Sequence, residues 1–158
     1  MMEDPPHRKT IQHFNEANQV RLLTFSCYER RPLLDNGDHR YTLSRCITRA
    51  TDRHRWMLIA FVYMPEHVHL LVYPKSEEPR VEKLLYAIKK PFADRIKLRL
   101  AEQQSPLLQQ LTVTERPGKR TFRFWLEGPG HDKNVISLDT CNKMADYLHS
   151  NPVRRGLC

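Results

Sequence analysis

Residues 56–73 read WMLIAFVYMPEHVHLLVY, and this stretch decides the fold. It contains two apolar runs, at 56–63 and 67–73, separated by Met-Pro-Glu. Runs this short, rich in Val, Ile and aromatic residues and bounded by proline, are typical of strands, and the brief spacer indicates a tight turn. The stretch therefore predicts two paired strands.

The flanking segments alternate between strand and helix patterns. In chain order they predict a strand at 20–27, a helix at about 39–54, the paired strands, an amphipathic helix at about 81–100, a polar connection at 103–121, a short strand at 122–125, a loop EGPGHDKN, and a last helix from Ser137 to Ser150 ended by Asn151-Pro152. This order predicts an α+β fold, a ferredoxin-like sandwich with an antiparallel sheet of four or five strands and helices packed on it.

Length and composition predict one domain. The chain has 158 residues, of which 40% are hydrophobic, so it can build a core. Residues 1–18 are polar and predict an N-terminal arm, which leaves 19–158 as a single domain. We see neither an apolar run near the ~20 residues that span a bilayer nor a secretory signal, and the four cysteines lie far apart. A reduced, cytoplasmic protein without a membrane partner is the expectation.

The positive charge is concentrated in one part of the chain. The formal net charge is +8, and 12 Lys/Arg against 6 Asp/Glu fall within 75–123. A basic stretch of this kind favours a nucleic-acid partner, although a solvated surface is the alternative. The candidate DNA-binding residues here are Lys83, Lys89, Lys90, Arg95, Lys97, Arg99, Arg116, Lys119, Arg120 and Arg123. The aromatic residues at 122–125 are candidates for base stacking or for the core.

A candidate metal site combines two segments far apart in the sequence. His67 and His69 flank one residue of a strand, so both imidazoles project from the same face. Tyr147 and Asn151 are neighbours on one face of the last helix. Two imidazoles and an amide leave open positions, which suits a catalytic Mg²⁺ or Mn²⁺. The alternative is hydrogen-bonded sheet histidines, a packing tyrosine and a helix-capping asparagine.

The motifs YMPEHVHLLVYP and ADYLHSNPVRRGL resemble those of HUH single-tyrosine transposases. Within these, the chain is similar to the REP-associated tyrosine transposases, relatives of the insertion-sequence-200 type, over roughly residues 8–157. His67-Val68-His69 matches the histidine–hydrophobic–histidine strand of that family, and Tyr147 with Asn151-Pro152-Val153 matches its late-helix tyrosine motif. His131 stands in a loop where many relatives carry tyrosine.

The resemblance implies a metal-dependent transposase or recombinase. Tyr147 would cleave and rejoin single-stranded, hairpin-associated DNA through a 5′-phosphotyrosine, with a divalent metal ion (Mg²⁺ or Mn²⁺) on His67, His69 and Asn151. His131, Arg154 and Arg155 would contact DNA. Glu66, beside the histidine strand, is a candidate to support the metal-binding histidines, but an exposed turn residue without a role is the favoured alternative. Family members occur as homodimers and as monomers, and the sequence leaves this open. One alternative function is a catalytically silent single-stranded nucleic-acid-binding module of the same fold. A second is a metal-dependent hydrolase that uses water as the nucleophile, with Tyr147 in a structural role.

Overall fold

The structure, a computed structural model, describes residues 16–158. The described elements are, in order, β1 (Val20–Ser26), α1 (Gly37–Arg53), β2 (Trp56–Tyr63), β3 (His67–Pro74), α2 (Val81–Glu102), α3 (Pro106–Gln110), β4 (Thr112–Arg116), β5 (Lys119–Phe122), β6 (His131–Val135) and α4 (Leu138–Arg154). The predicted arm at 1–18 lies mostly outside the described residues, and the single domain stays a prediction.

Four antiparallel strands form the main sheet in the order β2-β3-β1-β6. With α1 and α2 this gives the β-α-β-β-α-β arrangement of ferredoxin-like folds. The predicted α+β class is confirmed. No helix within residues 16–158 is long and apolar enough to cross a membrane.

Strand alternation gives the sheet two differently covered faces. Leu23 of β1 and Leu70 of β3 belong to the larger core cluster, together with apolar residues of α1 and α2. Leu71, one position further along β3, belongs to a smaller cluster with Leu148 of α4. Because successive strand residues point to opposite faces, α4 shares its face of the sheet with His67 and His69.

The predicted fourth strand at 122–125 is wrong as a member of the main sheet. That place is taken by β6, whose polar sequence HDKNV was interpreted as part of a loop. Its residues pair with β1 from Val20↔Val135 to Thr24↔His131, so tertiary pairing overrides a weak strand propensity. Phe124 and Trp125 are 1% and 7% exposed and belong to the core, which excludes them as an exposed stacking surface.

Two further boundaries differ from the sequence prediction. The polar connection at 103–121 contains α3 and most of a separate two-stranded hairpin formed by β4 and β5. The last helix continues through Pro152 to Arg154 instead of ending at Ser150. Proline removes one backbone donor and disfavours the preceding helical residue, but here the last turn continues past it.

Candidate active site

The two histidines at the start of β3 face each other on the α4 side of the sheet. Their Nε2 atoms are 2.9 Å apart, and their ring centroids are 4.6 Å apart at an interplanar angle of 84°. Both side chains are half-buried. The prediction that His67 and His69 share one face, with Val68 on the other, agrees with the register of β3.

Each imidazole is positioned by a hydrogen-bond contact at Nδ1, the ring nitrogen that faces away from the other histidine. His67 Nδ1 lies 3.1 Å from Glu66 Oε1, and His69 Nδ1 lies 2.7 Å from the Thr24 hydroxyl oxygen on β1. Burial pushes the pKa of Glu66 up, but a hydrogen bond from Arg155 and the charge interaction with His67 contribute to a net lowering. The ionised carboxylate accepts from His67 Nδ1–H, which leaves a lone pair on Nε2. This is the arrangement that orients metal-binding histidines.

Both histidines are neutral near pH 7. Burial lowers the pKa of His67, although Glu66 partly opposes it. Burial, followed by the interaction with His67, lowers the pKa of His69 to about 4. Neutral imidazoles are the form that binds metal ions.

Helix α4 supplies the other candidate residues at intervals of one turn. Tyr147, Asn151 and Arg155 are spaced by four residues and line the same cleft as the histidines. The Tyr147 ring is 6.4 Å from the His69 ring, centroid to centroid, and the phenol side chain is 41% exposed. Asn151 is buried. Leu148 packs into the cluster beneath β3 and holds this face of α4 toward the histidines.

The cleft has a volume of about 670 Å³. Its far wall is the loop at 126–130, which Lys89 of α2 holds by donating from Nζ to Gly128 O at 3.2 Å. Gly130 has φ +72° and lies so close to β1 that an added Cβ would be 2.0 Å from Thr24 O. The loop therefore packs against the residue that holds His69.

The side chains around the histidines fit one divalent ion. In the octahedral geometry of Mg²⁺, with bonds of about 2.0–2.1 Å, neighbouring ligand atoms lie roughly 3 Å apart, and the two Nε2 atoms are 2.9 Å apart. Within residues 16–158 no group of three or more His, Cys, Asp or Glu side chains could hold a metal ion. Asn151, the one amide side chain in the described cleft lining, offers an oxygen that could serve as a further ligand.

The predicted DNA-binding residues fall into two groups. His131 and Arg155 line the cleft, and the Arg154 guanidinium lies 5.6 Å from the centre of the Tyr147 ring. The others lie on α2 or around the hairpin, away from the cleft lining: Lys83, Lys89, Lys90, Arg95, Lys97, Arg99, Arg116, Lys119, Arg120 and Arg123. DNA contact by either group stays a prediction.

Several of the outer basic residues already have partners in the protein. Lys90 pairs with Asp94 at 2.6 Å, Arg99 donates to the Thr42 hydroxyl at 3.3 Å, and Arg123 pairs with Glu115 at 2.9 Å. Arg95 lies 3.0 Å from the Cys46 sulfur. Lys83 and Lys97 are exposed on α2.

Sequence reasoning missed two polar residues of the cleft lining and misjudged the exposure of a third residue beside it. For Glu66 the favoured expectation of an exposed turn residue is wrong, because its side chain is 12% exposed and accepts from Arg155. Its position 3.1 Å from His67 Nδ1 agrees with the other expectation, that it supports the histidines. The two missed lining residues are Thr24 and Arg30, which no motif marked. A polar residue on the strand paired with the histidine strand is a signal that could have found Thr24, because cross-strand neighbours lie in contact.

Known proteins that this chain resembles in sequence or in fold are transposases. A family model described as "Transposase IS200 like" matches residues 18–112. Among solved structures, a REP-associated tyrosine transposase bound to a REP hairpin is similar, with a TM-score of 0.72, 16% identity, and 96% of this chain and 76% of that chain covered. A candidate transposase from Deinococcus radiodurans R1 is similar with a TM-score of 0.51, 15% identity, and 95% and 97% covered. No curated protein matches the chain. At these identities the two structures bear on the fold alone.

Proposed function

The chain belongs to the family of IS200-like transposases, and from that premise we propose that it cleaves and rejoins single-stranded DNA beside a hairpin, with Tyr147 as the nucleophile. The observation that carries the proposal is the shared cleft in which Tyr147 and Asn151 face the His67/His69 pair. A similar transposase with the same fold is bound to a REP hairpin, which supports hairpin DNA as the partner.

Tyr147 suits nucleophilic attack because it is accessible and close to the candidate metal ligands. Its side chain is 41% exposed, and its ring is 6.4 Å from the His69 ring. The other five tyrosines of the chain lie outside the cleft lining. A phenol with an ordinary pKa of about 10 needs assistance at neutral pH. The guanidinium of Arg154 lies over the Tyr147 ring, 5.6 Å from its centre, at a distance typical of a cation–π contact.

We propose that His67 Nε2, His69 Nε2 and the Asn151 amide hold a divalent ion of the Mg²⁺ or Mn²⁺ class. Such an ion would polarise the scissile phosphate and offset charge that develops on its oxygens. With the ion bound, His67 Nδ1–H would donate to Glu66 and His69 Nδ1–H to the Thr24 hydroxyl, so that both Nε2 lone pairs would face the ion.

The covalent step exchanges one phosphate ester bond for another, so the energy of the phosphodiester bond is kept. The Tyr147 oxygen forms a bond to phosphorus, the bond to the 3′-oxygen breaks, and the phenol proton leaves to solvent as a proton is taken up by the departing 3′-oxygen. The products are a 5′-phosphotyrosine and a free 3′-hydroxyl. Attack by another 3′-hydroxyl reverses the step, so strands rejoin without ATP.

Basic residues outside the cleft would bind the DNA on either side of the cut. Exposed Lys83 and Lys97 on α2, and Lys119 and Arg120 on the hairpin, have positive charges that could neutralise phosphates. His131, Arg154 and Arg155 would contact the strand near Tyr147. We also propose that the protein acts in the cytoplasm, as a monomer or a homodimer.

The decisive test is formation of a covalent adduct. The protein is incubated with labelled single-stranded hairpin DNA and Mn²⁺ and then run on a denaturing gel. Tyr147→Phe should abolish the adduct while keeping the fold. The matched control is Tyr86→Phe, because Tyr86 is also exposed, at 67%, but lies on α2.

The same assay separates the alternative function and the metal assignment. A silent nucleic-acid-binding module would bind the hairpin equally with and without Tyr147 and would form no adduct. Replacing both His67 and His69 by alanine should abolish the adduct and leave DNA binding largely intact. Adduct formed by that double variant in the presence of a chelator would contradict the metal site.

A further inference from the structure

Arg30 reaches the cleft from the segment that follows β1. Its side chain is 62% exposed and lines the cleft, and its Nη2 atom is 3.6 Å from Glu66 Oε1. Arg155, from the end of α4, donates from Nη1 to the same carboxylate oxygen. Two guanidinium groups from opposite ends of the site therefore meet at one acid.

The backbone that presents Arg30 is strained. Glu29 and Arg30 both have φ +53°, a left-handed conformation that disfavours residues with a Cβ. Neighbouring hydrogen bonds hold it: Cys27 N–H donates to Glu66 O at 2.8 Å, and Arg30 N–H donates to Cys27 O at 2.9 Å. Strain fixed in this way clusters at binding and active sites.

The unused donors of the two guanidinium groups indicate what the arginines bind. Imidazoles that bind a metal ion are neutral, so within the described cleft lining the permanent cations are Arg30 and Arg155. Each guanidinium has five N–H donors, and one carboxylate oxygen engages few of them. The remaining donors suit a phosphate, which guanidinium groups bind with matching geometry.

We propose that Arg30 and Arg155 form a clamp for a DNA phosphate adjacent to the one attacked, with Glu66 setting the separation of the two guanidinium groups. The inference rests on the proposed function for the identity of the substrate. It adds Arg30, and the pairing of the two arginines through Glu66, to the residues that the sequence predicted.

The test measures binding of a fluorescein-labelled dT20 single strand by anisotropy across a salt series. Arg30→Gln should weaken binding about tenfold at low salt, as expected for the loss of an exposed charge-assisted contact. The slope of log affinity against log salt should become shallower by about 0.7, the value for one phosphate contact on a single strand. Arg30→Lys should keep the slope.

Arg31→Gln is the matched control. Arg31 is the next residue, but its Nη2 donates to Gln110 Oε1 at 2.5 Å, outside the cleft lining. Its variant should bind dT20 with the affinity and slope of the wild type. Thermal unfolding of each variant checks that the fold is unchanged.

The outcomes separate the clamp from the proposed function. Equal affinities and slopes for Arg30→Gln and Arg31→Gln, or a wild type that fails to bind dT20, would overturn the clamp. A selective loss in Arg30→Gln supports it. If the wild type then forms no adduct with hairpin DNA, the proposed cleavage is wrong, while the phosphate-binding arginines stand.

Discussion

Replacing Gly130 by alanine should destabilise the protein far more than the same change at Gly118. Both residues have left-handed backbones, with φ +72° and +79°. At Gly118 an added Cβ meets nothing within 4 Å, whereas at Gly130 it would lie 2.0 Å from Thr24 O and 3.1 Å from Thr24 C. The pair therefore separates the cost of the backbone conformation from the cost of the contact with β1.

The magnitudes follow from these two terms. Alanine in a left-handed conformation costs about 1–2 kcal/mol at either position. Relief of a 2.0 Å contact requires the loop to withdraw by about 1 Å from β1, next to the Thr24↔His131 pair. Loss of two backbone hydrogen bonds there would add about 1–3 kcal/mol. We expect a loss in unfolding free energy of about 1–2 kcal/mol for Gly118→Ala and about 2–5 kcal/mol for Gly130→Ala.

Urea denaturation followed by circular dichroism measures both losses, and the adduct assay measures their consequence. Because Thr24 holds His69 through its hydroxyl, Gly130→Ala should also reduce adduct formation at temperatures where the variant is fully folded. Gly118→Ala should retain it, since the β4–β5 turn is outside the cleft. Equal destabilisation by the two substitutions would refute the close approach of the loop to β1.

Two further predictions follow from single contacts. Thr24→Val removes the hydroxyl that holds His69 Nδ1, so Mn²⁺ affinity measured by calorimetry should fall about 10- to 100-fold. The control Thr112→Val, which loses a hydroxyl bonded to Leu108 O, should bind Mn²⁺ as the wild type does. Equal Mn²⁺ affinities of the two variants would contradict the role of Thr24. Burial lowers the pKa of Lys89, so at alkaline pH the unfolded chain binds more protons at Lys89 than the folded chain does. The wild type should therefore gain stability relative to Lys89→Met as pH rises toward the ordinary lysine pKa of about 10.4. Parallel profiles of unfolding free energy against pH for the two proteins, measured by urea denaturation, would contradict this prediction.

The parts of the fold that the sequence predicted are those with strong local patterns. The runs at 56–63 and 67–73 became β2 and β3 almost residue for residue. Both runs are rich in β-branched and aromatic residues, which favour strands in the central β3 and equally in β2, an edge strand that leaves Met57, Ile59 and Phe61 exposed. The same alternation correctly put His67 and His69 on one face. Helical spacing likewise placed Tyr147 and Asn151 on one side of α4.

The features that the sequence did not predict have a different cause: their positions depend on contacts with residues far away in the sequence. In β6 only Val135 is buried, so its sequence has no strand pattern and its place is decided by pairing with β1. Arg30 reaches the cleft through a left-handed backbone that no propensity predicts for arginine. Glu66 looked like an exposed turn residue because Arg155, which covers it, comes 89 positions later.

The site depends on how α4 packs against the sheet. Tyr147, Asn151 and Arg155 occupy successive turns of this helix, so any shift of α4 moves the candidate nucleophile, the candidate metal ligand and one arginine of the clamp together. The helix packs through the smaller of the two core clusters, around Leu148 and Cys141. At the cleft end a second contact reinforces this packing, because Arg155 bonds to Glu66, which in turn holds His67. The ion pair therefore couples the position of the helix to the orientation of the histidine, and Glu66 is the residue through which the two halves of the site are aligned.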